Sequence, residues 1–322
     1  MTDNQRVPAA YCPLPSLPKR MNFLFDYLKE PQWRRQHRWR KAIWNGMSRM
    51  GLTGAHALPL NRRWVEIHRR RMPLQGLDPS LAGLKLIQIS DLHYSPVVWQ
   101  RYLVQHILWI NEMKPDVVVV TGDLITGGYF YAHRVATILS HLHARHGVIC
   151  TLGNHDYSIY GRTARAEGER RADYLEQCLV KRGMICLRNE VWTLPASGGG
   201  GGKPLAVVGL DDEWSGHIDP DRAWSGLDPT LPIVCLNHNP VNAVQLMKYP
   251  WQWMLSGHTH GRQVATSRFG RALYPHRYRH FTHGYYSVNG RHLYVNRGLS
   301  YGQRVLTWCR PEITVFKLEP LT

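Results

Sequence analysis

The hydrophobic pattern from about residue 84 onward alternates short apolar runs with longer amphipathic segments. Pro115 to Asp123 reads P-D-V-V-V-V-T-G-D, and four valines between a proline and a glycine predict a strand buried on both faces. Apolar residues recur at helical spacing after such strands and predict helices over 98–113, 131–145 and 169–182. Strand–helix alternation requires crossover connections, so we predict an α/β fold with parallel neighbouring strands.

Beyond Gly183 the pattern favours β-structure, with short strands predicted over 184–187, 191–194, 205–210, 292–296 and 312–318. The glycine-rich stretch 197–202 is predicted as a flexible turn, because the strand–loop–helix context of a phosphate-binding loop is missing. Asp211 to Glu213 follows one of these strands, and we expect it in a surface loop, although its acids could face a site. Two mostly β layers covered by helices follow from this pattern.

Five predicted strands, including the valine strand, end in Asp, Asn or His. The segments that follow them are Ser90-Asp91-Leu92-His93, Gly122-Asp123, Gly153-Asn154-His155-Asp156, Asn237-His238-Asn239 and Ser256-Gly257-His258-Thr259-His260. Ligands of open α/β sheets bind beyond the carboxyl ends of the strands, so these endings predict one cluster of oxygen and nitrogen donors. A set without thiolates favours Mn, Fe, Zn or a related divalent ion. Its size suits two ions that share one carboxylate.

The blocks D-x-H, G-D, G-N-H-D, a lone His and G-H-T-H occur in the order found in calcineurin-like metallophosphoesterases, which this chain resembles from about Leu84 to its C-terminus. It is most similar to their bacterial, often membrane-associated branch, also through segments 294–298 and 311–313. The resemblance implies a four-layer αββα sandwich of two mixed β-sheets flanked by helices. It also implies phosphoester hydrolysis by a metal-bound hydroxide, because a bound metal can lower the pKa of water towards roughly 7.

The resemblance further implies a role for each matching residue. One divalent ion would be held by Asp91, His93, Asp123 and His260, and a second by Asp123, Asn154, His238 and His258. Catalysis would use His155, as a general acid or a donor to phosphoryl oxygens, and Asp156, as the acceptor that orients the His155 ring. Substrate contacts would come from Asn154, His155, Arg262 and Arg297.

Arg262 departs from the family pattern, because G-H-T-H-G-G-Q becomes G-H-T-H-G-R-Q in this chain. A guanidinium at this position could bind a phosphate oxygen, or it could restrict the cleft. The sequence leaves both interpretations open.

The chain is strongly basic, with 40 Lys and Arg against 23 Asp and Glu and a net charge of +17, much of it before Leu84. In the stretch 33–52, apolar residues recur at helical spacing among arginines, which predicts a helix lying in an anionic membrane interface. Docking of this helix on the core or on another subunit, and contact with nucleic acid, remain alternatives. We therefore divide the chain into a basic amphipathic extension, 1–73, and a metallophosphoesterase domain, 74–322. Arg69 to Arg71 could belong to a strand entering the core or to a solvated face.

Six dispersed cysteines without a C-x-x-C pair favour a reducing compartment. No apolar run reaches the length of a transmembrane helix, and the N-terminus lacks the apolar region of a secretory signal. We expect a cytoplasmic protein that is peripheral at the inner membrane.

Three functions are consistent with these features. The first is a di-metal hydrolase at the membrane surface, acting on a lipid- or nucleotide-linked phosphodiester or pyrophosphate; similar bacterial proteins include hydrolases of UDP-2,3-diacylglucosamine in lipid A synthesis. The second is a soluble phosphodiesterase of nucleotides or nucleic acid. The third, a non-catalytic interaction module, is the weakest, because every ligand type is present together with His155 and Asp156. The oligomeric state is left undetermined.

Overall fold

The structure, a computed structural model, describes residues 65–159, 166–196, 202–261, 281–300 and 309–321. All of them belong to one compact unit, Ser48–Thr322. The predicted N-terminal helix, Arg262 and most of the glycine-rich turn lie outside the described residues. None of the described helices has the length and apolar character needed to cross a bilayer.

The described residues form two six-stranded mixed sheets. Sheet one has the order β1-β12-β2-β3-β4-β5 and consists of β1 (Glu66–Leu74), β2 (Lys85–Ile89), β3 (Val117–Thr121), β4 (Val148–Thr151), β5 (Ile185–Cys186) and β12 (Glu312–Pro320). Sheet two has the order β10-β11-β9-β8-β7-β6 and consists of β6 (Glu190–Leu194), β7 (Leu205–Gly209), β8 (Ile233–Leu236), β9 (Trp253–Ser256), β10 (Gly284–Val288) and β11 (Arg291–Val295). Strands β2 to β5 are parallel to one another, and so are β7, β8, β9 and β11.

Helices lie on the outer faces of both sheets. Sheet one carries α1 (Gln100–Glu112), α2 (Tyr129–Leu139) and α3 (Ala166–Val180), and the region of sheet two contributes α4 (Pro220–Trp224), α5 (Asn242–Gln245) and the 3₁₀ turn Leu246–Lys248. A further 3₁₀ turn, Pro79–Leu81, precedes β2. The long helices occur where the 3.6-residue apolar pattern predicts them.

The valine strand β3 shows how the layers are built. Val118 and Val120 pack in the apolar cluster under the helices, whereas Val117 and Val119 belong to a cluster shared by the two sheets. Successive side chains of a strand point to opposite faces, so a strand covered on both sides is apolar throughout. The predicted four-layer αββα sandwich is confirmed.

Strand β1 runs across the boundary that the sequence analysis placed after residue 73. It pairs in parallel with β12 from Glu66 to Leu74, and it buries Met72 and Leu74 completely. Arg69 to Arg71 are exposed within this strand. The sheet therefore begins at Glu66, and the basic run is the solvated part of an edge strand.

Candidate metal centre

Five strand ends meet at one edge of the sandwich. β2, β3 and β4 are adjacent parallel strands of sheet one, and β8 and β9 are adjacent parallel strands of sheet two. The two sheets are joined at this edge by hydrogen bonds, for example from the backbone N–H of His258 to both carboxylate oxygens of Asp91, each 3.1 Å. The segments predicted to converge therefore do so.

The first group of donors consists of Asp91, His93, Asp123 and His260, whose ligand atoms all lie within 4.8 Å of one another. His93 Nε2 is 3.4 Å from Asp123 Oδ2, and His260 Nε2 is 3.3 Å from Asp91 Oδ1. The two imidazole Nε2 atoms are 2.9 Å apart. These four side chains face a common point.

The second group consists of Asp123, His238 and His258, with the same 4.8 Å limit on their ligand atoms. His238 Nε2 is 3.2 Å from Asp123 Oδ2, the oxygen that also faces His93. Asn154 adjoins this group, because its Oδ1 lies 3.0 Å from His258 Nδ1 while its amide NH₂ donates to the Ile159 carbonyl. Asp123 is thus common to both groups.

The donors suit divalent metal ions. Buried carboxylate oxygens and imidazole nitrogens, without thiolates, match Zn, Mn or Fe chemistry. His238 Nδ1 lies 2.8 Å from the Thr121 carbonyl, which fixes the ring and directs Nε2 to the centre. Metal-ligating histidines are held in this way by their second nitrogen.

Burial and the charges within the centre set the protonation states of its ligands. Burial lowers the pKa of His93 well below its usual range and that of His258 to about 3, so both imidazoles are neutral. Burial also opposes charge on Asp123 and His238, but their mutual attraction outweighs it, lowering the pKa of Asp123 and raising that of His238 to about 10. A metal ion would replace the His238 proton as the partner of the Asp123 carboxylate.

Backbone conformation aims these ligands inward. Five of them, Asp91, His93, Asp123, His258 and His260, have φ between 46° and 71°, in the left-handed region that non-glycine residues rarely adopt. Such strain persists where the surrounding structure enforces it, and it clusters at functional sites. The sharp turn after each strand thus points a donor at the centre.

Gly122 and Gly257 permit these turns for a steric reason. A Cβ at Gly122 would lie on the His238 imidazole, and one at Gly257 would lie on Ser90 Oγ and Asp91 Oδ2. The backbone of each strand end therefore passes directly against ligands from the other sheet. The glycines that precede ligands in the sequence blocks are required by this close approach.

His155 lies beside the first group, with its ring 4.5 Å from that of His93, centroid to centroid, and nearly perpendicular to it. Its backbone N–H donates to Asp123 Oδ1 over 2.9 Å, which ties its position to the shared carboxylate. The side chain is therefore placed at the edge of the metal centre.

Asp156 does not accept a bond from the His155 ring, as the sequence analysis expected. Its Oδ1 accepts the N–H of Ile125 at 3.0 Å and its Oδ2 that of Gly153 at 2.9 Å, and the side chain is completely buried. Burial and the nearby Asp123 carboxylate raise its pKa well above the usual range. Asp156 thus shapes the turn that carries His155 and links it to the end of β3.

The substrate-binding expectation for Arg297 is corrected by its partners. Its Nε donates to Glu312 and its Nη2 to Glu66, both over 2.6 Å, and the residue is 9% exposed. The guanidinium is thereby held between β12 and β1, because a buried cation needs carboxylate partners. Asn154 and His155 do adjoin the centre, whereas Arg262 lies outside the described residues.

A buried polar network beside the centre was not predicted from the sequence. Asp211 and Asp212, expected in a surface loop, are each 2% exposed at the end of β7. The Tyr157 hydroxyl donates to Asp211, and Arg188 bonds both Asp211 and Tyr157, each over 2.8 Å. Burial raises the pKa of Asp212 to about 7. The position of Asp211 and Asp212 after a predicted strand could have indicated this, since β7 is parallel to β8 and ends at the same edge.

Trp214 is a second residue that the sequence gave no reason to select. Its indole meets the imidazole of His258 edge to face, with ring centroids 4.8 Å apart. This contact covers one side of the second donor group with an apolar ring.

An αββα sandwich that gathers buried carboxylates and imidazoles at its strand ends defines a metal-dependent hydrolase of phosphate esters. Within that class, the chain belongs to the calcineurin-like phosphoesterase family, whose model matches residues 84–262. That match contains all six residues of the two donor groups and also Asn154. The chain is therefore a phosphoester hydrolase of a family that uses divalent metals.

Curated relatives agree with this assignment. The uncharacterized metallophosphoesterase YkuE of Bacillus subtilis is 35% identical over 265 residues, covering 80% of this chain and 88% of the relative. Phosphodiesterase YaeI of Escherichia coli is 28% identical, covering 79% and 88%. UDP-2,3-diacylglucosamine pyrophosphatase LpxG of Chlamydia trachomatis is 28% identical, covering 83% and 93%.

Proposed function

We propose that this phosphoesterase uses two divalent ions to hydrolyse a phosphodiester or pyrophosphate in a lipid- or nucleotide-linked substrate at a membrane surface. The observation that carries the proposal is the position of Asp123, whose carboxylate belongs to both donor groups. A carboxylate shared in this way suits a pair of ions, which clamps the attacking and leaving oxygens of a displacement at phosphorus.

The proposed metal ligands follow from the two donor groups. Asp91, His93, Asp123 and His260 would hold one ion, and Asp123, Asn154, His238 and His258 the other. Bound metal ions supply Lewis-acid stabilisation and lower the pKa of water. The remaining chemistry belongs to His155, which lies beside His93 and can donate a proton to the leaving oxygen or a hydrogen bond to the phosphoryl group.

One relative and the charge of the chain support the substrate class. LpxG is named for the pyrophosphate bond of UDP-2,3-diacylglucosamine, a nucleotide-linked lipid, and this chain aligns with 93% of it. The net charge of +17 favours an anionic substrate and an anionic surface.

Metal analysis of the full-length protein, followed by a substrate panel, tests the proposal. We expect about two metal ions per chain and hydrolysis of UDP-2,3-diacylglucosamine in mixed micelles, with the Asp123→Asn protein as the inactive control. Hydrolysis of phosphomonoesters alone, or binding of a single ion at full activity, would contradict it.

A soluble phosphodiesterase acting on nucleotides is the second candidate, and the relative YaeI, named as a phosphodiesterase, is consistent with a diester substrate. The same panel separates the two. Preference for cyclic nucleotides or oligonucleotides over the lipid-linked substrate would support the second candidate and exclude the first.

A further inference from the structure

Three large aromatic side chains are exposed where helices begin beside the metal centre. Trp99 is 53% exposed, Tyr129 46% and Phe130 61%, and we call this set the aromatic rim. Trp99 caps the start of α1, and the other two are the first residues of α2.

The rim lies at the same edge as the metal ligands for a topological reason. α1 follows β2 and its ligands Asp91 and His93, and α2 follows β3 and its ligand Asp123. β2 and β3 are adjacent and parallel, so both helices begin at the carboxyl ends of these strands. The bridge between Tyr94 and Ile125 joins the two strand-to-helix connections directly.

Cations accompany the rim. The Arg134 guanidinium lies 4.6 Å from the centre of the Phe130 ring, and that of Arg171 lies 5.7 Å from the Tyr129 ring. Segments 92–111 and 124–155, which carry the rim, contain no Asp or Glu. These two segments therefore contribute apolar rings and Arg134 without a carboxylate, whereas α3, which contributes Arg171, also carries Glu169 and Asp173.

This combination matches the interface of an anionic bilayer. Tyr and Trp place their rings at the headgroup level with the polar tip in water, and Phe enters the apolar boundary. Arginines beside them attract anionic headgroups. Nucleic acid also stacks on aromatic rings, but it needs a groove of cations along its backbone, whereas the cations facing the rim rings are Arg134 and Arg171.

We infer that the aromatic rim docks the protein on an anionic phospholipid surface, so that the metal centre faces the headgroup layer. The inference adds a docking surface on the phosphoesterase sandwich itself, and its purpose rests on the proposed lipid-linked substrate. A substrate anchored in the same layer would reach the strand ends without leaving the membrane.

Sedimentation of the full-length chain with vesicles tests the inference. Binding of the protein to vesicles of phosphatidylcholine with phosphatidylglycerol is compared with its binding to vesicles of phosphatidylcholine alone. Its binding to a single-stranded oligonucleotide is measured separately. We expect the triple variant Trp99→Ala, Tyr129→Ala, Phe130→Ala to lose about tenfold or more in partition onto the anionic vesicles, because three interfacial side chains are removed.

A matched control removes the same number of exposed apolar side chains elsewhere. Leu108, Val180 and Val244 are 50%, 53% and 59% exposed, and their joint replacement by Ala is expected to leave vesicle partition unchanged. Circular dichroism monitors folding of all variants. Phe130→Ser alone, at the most exposed position, replaces the triple variant if that protein fails to fold, with an expected loss of about threefold.

Equal partition of the wild-type protein and the triple variant onto anionic vesicles would overturn the inference. So would a wild-type protein that does not bind anionic vesicles. Loss of oligonucleotide binding in the rim variant, with vesicle binding intact, would assign the surface to nucleic acid and overturn it too. The proposed function fails separately, if the wild type binds vesicles through the rim but hydrolyses none of the diesters or pyrophosphates.

Discussion

At the scale of single residues, Asp123 decides whether the centre can form. Its Oδ2 faces both His93 and His238, and its Oδ1 accepts the backbone N–H of His155. One side chain thus joins the two donor groups and fixes the turn of a third strand end. Few other residues could be changed with so many consequences for the site.

Asp123→Asn tests this role. Asparagine keeps the size of aspartate and one acceptor oxygen but removes the negative charge that binds a cation. We therefore expect metal affinity to fall by more than about 100-fold, which exceeds the usual effect of mutating a residue that only hydrogen-bonds a metal ligand. Activity should be lost with the metal. Inductively coupled plasma mass spectrometry and a diester assay measure both effects, with the exposed Asp228→Asn as control. A metal-loaded, active Asp123→Asn protein would contradict the assignment.

His155 acts on the substrate in our proposal and is no metal ligand. His155→Asn should therefore retain the metal content of the wild type while kcat falls roughly 10²–10⁴-fold, the usual worth of acid–base assistance. The alkaline limb of the kcat profile, where a proton donor becomes deprotonated, should change as well. His143→Asn, at an exposed position, is the control. Loss of metal in His155→Asn would move this residue into the ligand set.

At the scale of elements, the strand-end turns decide how the ligands are presented. Gly122 ends β3 with φ 81°, and any Cβ there would lie on the His238 ring. Gly183, between α3 and β5, has nearly the same φ of 79°, but nothing lies within 4 Å of its Cβ position. Both glycines have a left-handed backbone, but only Gly122 has a side chain, that of His238, at the position of a Cβ atom.

Gly122→Ala and Gly183→Ala form a matched pair. Both should lose about 1–2 kcal/mol of stability, the cost of a left-handed backbone in an L-residue, and Gly122→Ala should lose more because its Cβ collides with the His238 ring. Only Gly122→Ala should also lose metal, because it displaces the His238 imidazole. Thermal unfolding and metal analysis of both variants check this. Equal metal content in the two proteins would contradict the steric account of the turn.

At the scale of the whole molecule, the site lies between two sheets and needs both. Asp91 and Asp123 come from sheet one and His238 and His258 from sheet two, and an apolar cluster shared by the sheets holds them in register. Strand β1 contributes Met72 and Leu74 to that cluster. The edge strand that follows the basic extension is thus part of the support of the site.

Two truncated chains test the contribution of β1. A chain beginning at Val65 keeps all described strands, whereas one beginning at Leu74 loses β1 and the burial of Met72, worth about 1.5–3 kcal/mol for a side chain of this kind. We expect the shorter chain to unfold at a clearly lower temperature and to aggregate through the bared edge of β12. Equal unfolding temperatures, measured by calorimetry, would show that β1 is dispensable.

The donor types could be predicted from sequence because each depends on local pattern. An apolar run sets a strand, parallel neighbours share an edge, and the residues just past the run must therefore meet there. That reasoning located Asp91, Asp123 and His238 correctly at one edge. It failed for Asp156, because an adjacent histidine was assumed to be its partner, whereas the backbone of Ile125 is.

The sequence by itself determined most of the strands, the layers and the kinds of ligand, since apolar periodicity and residue chemistry are properties of short segments. Only the tertiary structure decided which charges are neutralised by which partners. Arg297 is held by Glu66 from the far end of the chain, and Asp211 is buried with Tyr157 and Arg188. These pairings depend on segments that meet only after the sheets have packed, because the cost of burying a charge is set by the groups that packing places around it.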